Sequence, residues 1–362
     1  MQLNVILYAD RRIPVRIYDY SFLETTAIPS DIVSFLTQIH EFKGKQSILY
    51  NQQPDVLQAL VEVAKIQSTG ASNRIEGIHT TDKRLQILKG EFTPANRDEE
   101  EILGYRTVLD IIHESHDYIP INSNLLLQLH RDLYKFSSLS FGGKYKNSDN
   151  IIEETDAFGN KRVRFKPVSA FETPNAVDAL CAAYTNAISG QIADPLLIDM
   201  LFVLDFLCIH PFIDGNGRMS RLITLLLLYK SNYVVGKYIS IEALIEKTKD
   251  NYYKSLEQSS QNWHEGNNDI WCFIGYMLGV LLAAYRDFEN RIILVASEKL
   301  TKEECIQKTV NDSIGLFSKS DIMEQCPDIS MTTIEKVLGE MRKAGLIKTI
   351  GSGRGAKWCK IV

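Results

Sequence analysis

The sequence is poor in cysteine. Its 362 residues contain six cysteines, at positions 181, 208, 272, 305, 326 and 359. They lie far apart and none forms a CxxC pair, so the sequence indicates neither a disulfide framework nor a zinc knuckle. Such cysteine usage fits a reducing compartment, and we expect a cytoplasmic protein.

The sequence also lacks the marks of a signal peptide and of a membrane span. The first twenty residues contain no basic segment followed by an apolar one. The longest apolar stretch, PLLIDMLFVLDFLCIHPFI, contains Asp199, Asp205 and His210. These polar residues favour a buried helix over a membrane span, and we expect no membrane association.

An excess of basic charge is missing as well. The formal net charge is −5, which argues against a protein that is basic overall and coats nucleic acid. The hydrophobic content of 45% is that of an ordinary globular protein with a sizeable core. A chain of this length can hold two or three domains.

Apolar residues recur at helical spacing through the middle of the chain. This spacing predicts helices over 54–68, 71–89, 98–116, 123–136, 174–189, 194–209, 217–231, 240–246, 250–265 and 268–289. The region from residue 1 to about 50 shows only short apolar alternations, which suggest short strands or an arm. The predicted fold class is therefore mainly α.

Residues 144–169 interrupt the helical pattern. Two short β-prone runs flank a turn signal at Phe158-Gly159-Asn160, which indicates a hairpin. A lone hairpin cannot bury much of itself, so a plain surface loop is the alternative interpretation.

The last 70 or so residues run helix, turn, helix and then two short strands around a GSGRG turn. That order is typical of a winged helix. Residues 291–362 hold 12 Lys or Arg and 9 Asp or Glu. The basic residues cluster at Arg342, Lys343, Lys348, Arg354, Lys357 and Lys360. This cluster suggests DNA, but many winged helices bind protein, so both docking partners stay open.

HPFIDGNGRMSR, residues 210–221, lies in the gap between two apolar helices. Pro211 disfavours α conformation at His210, so the first helix should end there. Gly215 and Gly217 permit a tight turn. A glycine turn at a helix N-terminus binds anions, because its N–H groups are unpaired and the helix dipole favours negative charge.

The charged residues of the same stretch suit a nucleotide. Arg218, where the second helix should begin, and Arg221 are three residues apart and share one helix face. Two guanidinium groups suit a polyphosphate, and Asp214 is an oxygen ligand for Mg²⁺ on phosphates. His210 could remove a proton from a hydroxyl. Taken singly, such residues are more often structural or exposed to solvent. Here all of them lie within one stretch of twelve residues.

This stretch resembles the HPFx(D/E)GNGRxxR signature of the Fic family at every fixed position. The resemblance implies a Fic-type helical core with a β-hairpin flap over 98–290. It also implies an N-terminal region with an inhibitory helix over 1–97, and a C-terminal winged-helix domain over 291–362. The implied activity is that of a protein adenylyltransferase, which transfers AMP from ATP to a Ser, Thr or Tyr hydroxyl of a protein.

The resemblance also implies a role for each motif residue. His210 would be the general base, and Asp214 would hold Mg²⁺ between the α- and β-phosphates of ATP. Arg218 would reach the β-phosphate and Arg221 the γ-phosphate. The anion hole would be formed by Gly215, Asn216 and Gly217. Such transfer depends on positioning and charge stabilisation.

The hairpin would be the flap of this family, whose edge pairs with the backbone of the target protein. By resemblance its first strand, at Ile151, Ile152 and Glu153, would border the nucleotide. Tyr252 and Tyr253 match a tyrosine-rich position that borders the adenine in relatives. The alternative is that one of these two tyrosines belongs simply to the core.

SNRIEG, residues 72–77, resembles the inhibitory motif (S/T)xxxE(G/N) of the family. Alone it would be the polar part of a helix, with Ser72 as a cap. Glu76 is similar to glutamates that pair with the second motif arginine, here Arg221. Such a pair withdraws the arginine from the γ-phosphate. We therefore expect self-inhibition through Ser72, Glu76 and Gly77, although Glu76 could instead position a water that removes AMP.

Other functions stay open on the sequence. Fic relatives can transfer other phosphate-containing groups, and the winged helix allows a DNA-binding regulator with a nucleotide-sensing core. The expected partner is a protein with a hydroxyl side chain, and self-modification is a further expectation. A homodimer is common in the family, but no sequence feature requires one.

Overall fold

A computed structural model describes residues 16–50, 54–78, 94, 96–139, 141–155, 161–296, 301–313, 315–351 and 356–361. The turn predicted at Phe158-Gly159-Asn160 lies outside the described residues, as does the larger part of the helix predicted over 71–89.

The described residues are mainly helical, as the sequence predicts. The helices are α1 (Ser30–Tyr50), α2 (Pro54–Ile75), α3 (Arg97–Ser115), α4 (Ser123–Leu133), α5 (Thr173–Gly190), α6 (Pro195–Ile209), α7 (Asn216–Lys230), α8 (Ile241–Lys247), α9 (Lys249–Ser260), α10 (Trp271–Ala296), α11 (Lys302–Asp312), α12 (Lys319–Gln325) and α13 (Met331–Lys343). Two antiparallel pairs of strands complete them: β1 (Ile152–Thr155) with β2 (Lys161–Phe165), and β3 (Ile347–Ile350) with β4 (Lys357–Lys360).

Helix α1 shows that the expectation of short strands or an arm does not hold for residues 30–50, whereas residues 16–20 have neither helix nor strand structure. Its residues Ile32, Leu36 and Ile39 are buried and recur at helical spacing. They face α10, where a Cβ built on Gly275 would lie 3.1 Å from Cδ1 of Ile32. The apolar stripe of α1 is narrow and broken by polar residues, which is why the sequence pattern did not reveal it.

Helices α6 and α7 form the centre of the core. The carboxylate of Asp194 accepts a hydrogen bond from the N–H of Leu196, and Pro195 occupies the first turn, so α6 has a well-defined start. Every residue from 196 to 209 is buried. Within the described ranges, no helix is both long and apolar enough to cross a bilayer.

Helix α2 extends to Ile75 and therefore contains the start of the inhibitory motif. Ser72 lies in the buried interior of this helix instead of capping a new one, so that local expectation is wrong. Leu60 and Ile75 of α2 belong to the same hydrophobic core as Phe206 of α6. The N-terminal helices thus share a core with the central ones, and the predicted boundary at 97 stays a prediction.

The C-terminal residues 301–361 build a second hydrophobic core. Three helices, α11 to α13, precede the strand pair β3–β4. Ile334 and Val337 of α13 pack in this core with Trp358 of β4. The order of the elements is the one expected of a winged helix, but that assignment and the boundary at 291 stay predictions.

Gly104 of α3 offers a test of how closely α3 and α4 must approach. A Cβ built there would overlap the carbonyl oxygen of Leu133. Gly104→Ala should therefore lower the free energy of unfolding by about 1–3 kcal/mol, because the two helices must move apart. Urea denaturation followed by circular dichroism measures this.

The matched control is Gly44→Ala in α1, where a Cβ would have open space. There the gain in helix propensity should raise stability by up to about 1 kcal/mol. Equal stabilities of the two variants would contradict a tight crossing at Gly104.

Candidate active site

A cavity of ≈ 680 Å³ opens between α9, the hairpin β1–β2 and the loop that joins α6 to α7. This volume is in the range of small-molecule sites. Its walls include most of the residues predicted from the sequence: Glu76, Ile152, Glu153, His210, Asp214, Gly215, Asn216, Gly217, Arg218, Arg221, Tyr252 and Tyr253.

The backbone at His210 turns sharply away from α6. Helix α6 ends at Ile209, as Pro211 predicts, and His210 has the left-handed φ of 51°. Lys146 holds this turn from the other side. Its Nζ donates to the carbonyl of Ile209 at 3.1 Å, and its backbone N–H donates to the carbonyl of Pro211 at 2.9 Å. No sequence pattern indicates this role of Lys146.

The imidazole of His210 is prepared to accept a proton. Its Nδ1 lies 3.3 Å from the carbonyl oxygen of Leu207, which assigns the ring proton to Nδ1 and leaves the lone pair on Nε2. Burial lowers the pKa of His210 to about 4. The ring is therefore neutral at pH 7, the form that a general base requires.

The loop before α7 is closed by the side chain of Asn216. Its Nδ2 donates to the carbonyl of Phe212 at 2.8 Å, and its Oδ1 accepts from the N–H of Phe212 at 3.0 Å. Helix α7 starts at Asn216, not at the predicted Arg218, and Gly215 precedes it with a φ of 82°. Helix geometry leaves the N–H groups of residues 216–218 without acceptors inside the helix, so they can serve an anion.

A second histidine, His130 of α4, fixes the same loop from below. Its Nε2 lies 3.1 Å from the carbonyl oxygen of Asp214, and its Nδ1 accepts from the N–H of Gly143 at 3.0 Å. The ring stacks on Phe212 with a centroid distance of 3.7 Å. Burial lowers the pKa of His130 to about 4, so the ring is neutral. Nothing in the sequence links His130 to a motif 80 residues away.

Arg218 points into the protein and finds partners on α3 and directly after α4. Its Nη1 lies 2.7 Å from Oε2 of Glu101, and its Nη2 donates to the hydroxyl of Tyr134 at 2.8 Å. The side chains of Arg218 and Glu101 are only 1% and 4% exposed. Arg218 therefore contributes a buried, compensated charge at the cavity wall, and the sequence offered no way to identify Glu101 as its partner.

Asp214 is the exposed acid of the loop, with 44% of its side chain accessible. Its Oδ1 accepts from the N–H of Gly215 at 2.6 Å, and its Oδ2 lies 3.7 Å from Nη2 of Arg97. In the part of the chain that the structure describes, no three His, Cys, Asp or Glu residues are grouped to hold a metal ion. A single carboxylate still fits Mg²⁺, which takes most of its ligands from phosphates and water.

Arg221 is paired with the end of α2, as the sequence predicts. Its Nη2 donates to Oε1 of Glu76 at 2.8 Å and to the carbonyl of Ser72 at 2.9 Å, and its Nε donates to the hydroxyl of Ser72 at 2.8 Å. Although burial opposes it, the carboxylate of Glu76 raises the pKa of Arg221. The same carboxylate lies against Gly217, where an added Cβ would overlap it.

Two further contacts fix the chain directly before Glu76. Arg74 forms a bidentate ion pair with Glu246 of α8, with distances of 2.6 and 2.8 Å. Lys249 donates from Nζ to the carbonyl of Ile75 at 2.6 Å. Gly77 then continues with a φ of 82°, which ends the helix and turns the chain away. Gly77 and Ser72 do not line the cavity themselves.

The hairpin and α9 supply the opposite wall of the cavity. Ile152 and Glu153 of β1 line it, whereas Ile151 lies outside the lining with 51% of its surface exposed. Tyr252 is 3% exposed and packs edge-on against Tyr253, with ring centroids 5.3 Å apart. Tyr252 is therefore part of the hydrophobic core and also part of the cavity wall.

Comparison with known proteins agrees with this geometry. Residues 120–228 match the model of the Fic/DOC family, and this range contains the whole motif from 210 to 221. The chain carries a Fic/DOC family domain. The Fic domain therefore supplies the loop, both motif arginines and the histidine of the cavity.

Relatives of the Fic domain cover different parts of the chain. A Fido domain-containing protein of Dictyostelium discoideum is 28% identical over 125 residues, which are 33% of this chain and 78% of that protein. The protein adenylyltransferase fic-1 of Caenorhabditis elegans is 23% identical over 221 residues, which are 58% of this chain and 38% of that protein.

Solved structures extend the likeness of fold. A Fic family protein from Desulfovibrio desulfuricans G20 has a TM-score of 0.58 at 20% identity, over 93% of this chain and 97% of that one. A Fic domain containing signaling protein from Bacteroides thetaiotaomicron has a TM-score of 0.59 at 22% identity, over 73% and 98%. The predicted mainly α, Fic-type fold is confirmed.

The histidines in and near the site predict how stability depends on pH. Burial is the main cause that lowers the pKa of His113 to about 3 and the pKa values of His130 and His210 to about 4. In an unfolded chain they titrate near about 6.5. The unfolded state therefore binds protons first at these rings, and the three histidines lower the stability as the pH drops from about 6.5 towards 4, each by up to about 1.4 kcal/mol per pH unit. The buried carboxyl of Asp199 acts in the opposite direction, because burial raises its pKa to about 7 and the folded state binds its proton first.

Urea denaturation of wild type and His113→Phe at pH 7.0 and 5.5 isolates the contribution of one ring, which lies outside the cavity. The change in stability between the two pH values should be less unfavourable in His113→Phe than in wild type by about 1 kcal/mol. The same pH dependence in both proteins would contradict a neutral, buried His113.

Proposed function

We propose that this protein is an adenylyltransferase that transfers AMP from ATP to a hydroxyl side chain of a protein, and that its own Glu76 inhibits it. The observation that carries the proposal is the 2.8 Å ion pair between Glu76 and Arg221 in the cavity that also holds His210. An adenylyltransferase among the relatives supports this reaction class.

The proposed reaction is one in-line displacement. The target hydroxyl oxygen forms a bond to the α-phosphorus of ATP, and the bond from that phosphorus to the β-bridging oxygen breaks. The hydroxyl proton passes to Nε2 of His210, and pyrophosphate leaves. A neutral His210 with its other nitrogen held by Leu207 is suited to this step.

The N-terminus of α7 is the proposed phosphate site. The N–H groups of residues 216–218 and the guanidinium of Arg221 would bind the phosphates. Arg218 is engaged by Glu101 and Tyr134, so it would act chiefly through its positive charge. Asp214 would hold Mg²⁺, which when bound neutralises charge on the departing pyrophosphate.

Inhibition follows from what Glu76 occupies. Its carboxylate neutralises Arg221 and lies against Gly217 in the first turn of α7. A γ-phosphate directed to Arg221 would meet a negative charge there, so ATP would be held away from the arrangement that suits attack. Removal of Glu76 would free the guanidinium while Ser72 still holds it in place.

Mass spectrometry after incubation with ATP and Mg²⁺ tests the proposal directly. Glu76→Gly should add one AMP to the protein or to a protein of a cell lysate, at a rate at least about tenfold above wild type, because a charge-assisted contact to Arg221 is released. Adding His210→Ala to that variant should reduce the rate by about 10²–10⁴-fold.

Asp250→Gly is the matched control, since it removes a carboxylate from the same cavity without releasing Arg221. It should stay as inactive as wild type. If radiolabelled ATP gives no labelled protein with Glu76→Gly, in the purified chain or in the lysate, the adenylyltransferase proposal is wrong.

We propose further that the C-terminal unit docks protein and not DNA. In a helix–turn–helix the second helix enters the major groove, and here that helix would be α13. Glu335 of α13 is paired with Lys319 at 2.7 Å, and Lys336 of α13 is paired with Glu303 at 2.8 Å. The middle of this helix therefore presents ion pairs, where binding to DNA requires basic side chains that are available to the phosphates.

A gel-shift experiment with 20-base-pair duplexes at 50 mM salt tests this. We expect no shift up to micromolar protein, because non-specific binding requires several phosphate contacts. A shift that disappears at higher salt, and that Arg342→Ala with Lys343→Ala abolishes, would favour the DNA-binding regulator instead.

A further inference from the structure

The cavity contains a basic residue that the motif does not account for. Besides Arg218 and Arg221, its walls include Arg164 of β2 and Lys254 of α9. Lys254 is exposed, whereas Arg164 is partly buried. Arg218 and Arg221 are compensated by glutamates, so the interior of the cavity has a further positive charge at Arg164.

Strand alternation explains why Arg164 points inwards. Arg162 and Arg164 are two residues apart on β2 and share one face, while Val163 between them is exposed on the other. Arg162 pairs with Glu257 of α9 at 2.8 Å, which fixes the hairpin against that helix. The same face therefore directs Arg164 towards the cavity wall formed by α9.

Arg164 has donors that no acceptor uses. Its Nε is buried, and among the described residues neither this nitrogen nor the rest of the guanidinium has a hydrogen-bond or ion-pair partner. The guanidinium lies beside the ring of Tyr253, whose centroid is 5.6 Å from Cζ of Arg164. A buried donor without an acceptor is costly, and a charged oxygen is the partner that a guanidinium prefers.

The position of Glu76 limits which part of a nucleotide Arg164 can contact. The carboxylate of Glu76 occupies the Arg221 end of the cavity, against Gly217. The part of the cavity next to Arg164 of β2 is left for the remainder of the molecule. That remainder is the nucleoside with the phosphate attached to it.

We propose that Arg164 binds the first phosphate of the nucleotide, the one that AMP, ADP and ATP share, and holds a nucleotide in the cavity while Glu76 occupies Arg221. The proposal rests on the proposed function in one respect, that the ligand is an adenine nucleotide. Arg164 then sets the affinity for any of the three nucleotides, and Arg221 sets the preference for ATP once Glu76 is removed.

Titration calorimetry with AMP, ADP and ATP in the presence of Mg²⁺ tests this division. Wild type should bind AMP and ATP with affinities within about threefold of each other, whereas Glu76→Gly should favour ATP by about tenfold. Arg164→Met should weaken AMP and ATP alike by about tenfold, the size expected for one charge-assisted hydrogen bond. Its melting temperature should not fall by more than a few degrees, because among the described residues Arg164 has no hydrogen-bond or ion-pair partner and its neighbour is the ring of Tyr253.

Arg162→Met is the matched control, since it removes the same charge from the same strand and breaks the ion pair with Glu257. It should change nucleotide affinity less than threefold. Equal losses of nucleotide affinity in Arg162→Met and Arg164→Met would show that the position of the hairpin determines binding. That result would overturn a direct contact between Arg164 and the phosphate. Unchanged binding in Arg164→Met, a loss confined to ATP, or no binding of any nucleotide to wild type and Glu76→Gly would overturn it too.

The result separates this inference from the proposed function. If nucleotides bind through Arg164 and Glu76→Gly transfers nothing, the adenylyltransferase proposal is wrong, and the contact between Arg164 and the phosphate is supported. If Glu76→Gly transfers AMP and Arg164→Met binds nucleotides as tightly as wild type, the adenylyltransferase proposal is supported, and the proposed contact of Arg164 is wrong.

Discussion

A guanidinium that is 3% exposed must find its acceptors inside the protein, and Arg221 finds them at the end of α2. Without them a buried charge would be left uncompensated, which is strongly destabilising. The contact therefore connects the N-terminal helices to the centre of the core, where α7 lies. Inhibition by Glu76 would then be part of the same arrangement that satisfies Arg221, and Ser72 would keep the arginine in position when Glu76 is removed.

The loop from 210 to 215 depends on a similar condition. It carries polar backbone between two helices that have no exposed face, so its carbonyl and N–H groups must be paired from elsewhere. Lys146, His130 and Asn216 provide these partners. These supports hold His210 in its left-handed backbone conformation, and the carbonyl of Leu207 defines the ring tautomer.

Local patterns were enough to predict the part of the site that is contiguous in sequence. Pro211 marked the end of α6 and the glycines marked the start of α7. The partner of Arg221 followed instead from the resemblance of SNRIEG to the inhibitory motif of the Fic family. Glu101, His130 and Lys146 could not be found in this way, because each contacts the loop or Arg218 across a long sequence separation. Helix α1 was not predicted for a different reason. Its apolar stripe, which packs on α10, is narrow and is interrupted by polar residues.

Gly217 shows that one position can serve two opposed states. A site for phosphate needs a residue without a side chain there, so that the oxygen atoms can approach the backbone. The carboxylate of Glu76 uses the same gap, since a single added carbon atom would overlap it. A methyl group at 217 would therefore disturb both the inhibitory contact and the proposed phosphate site. The inhibitory contact thus uses the same absence of a side chain that the proposed catalytic state requires.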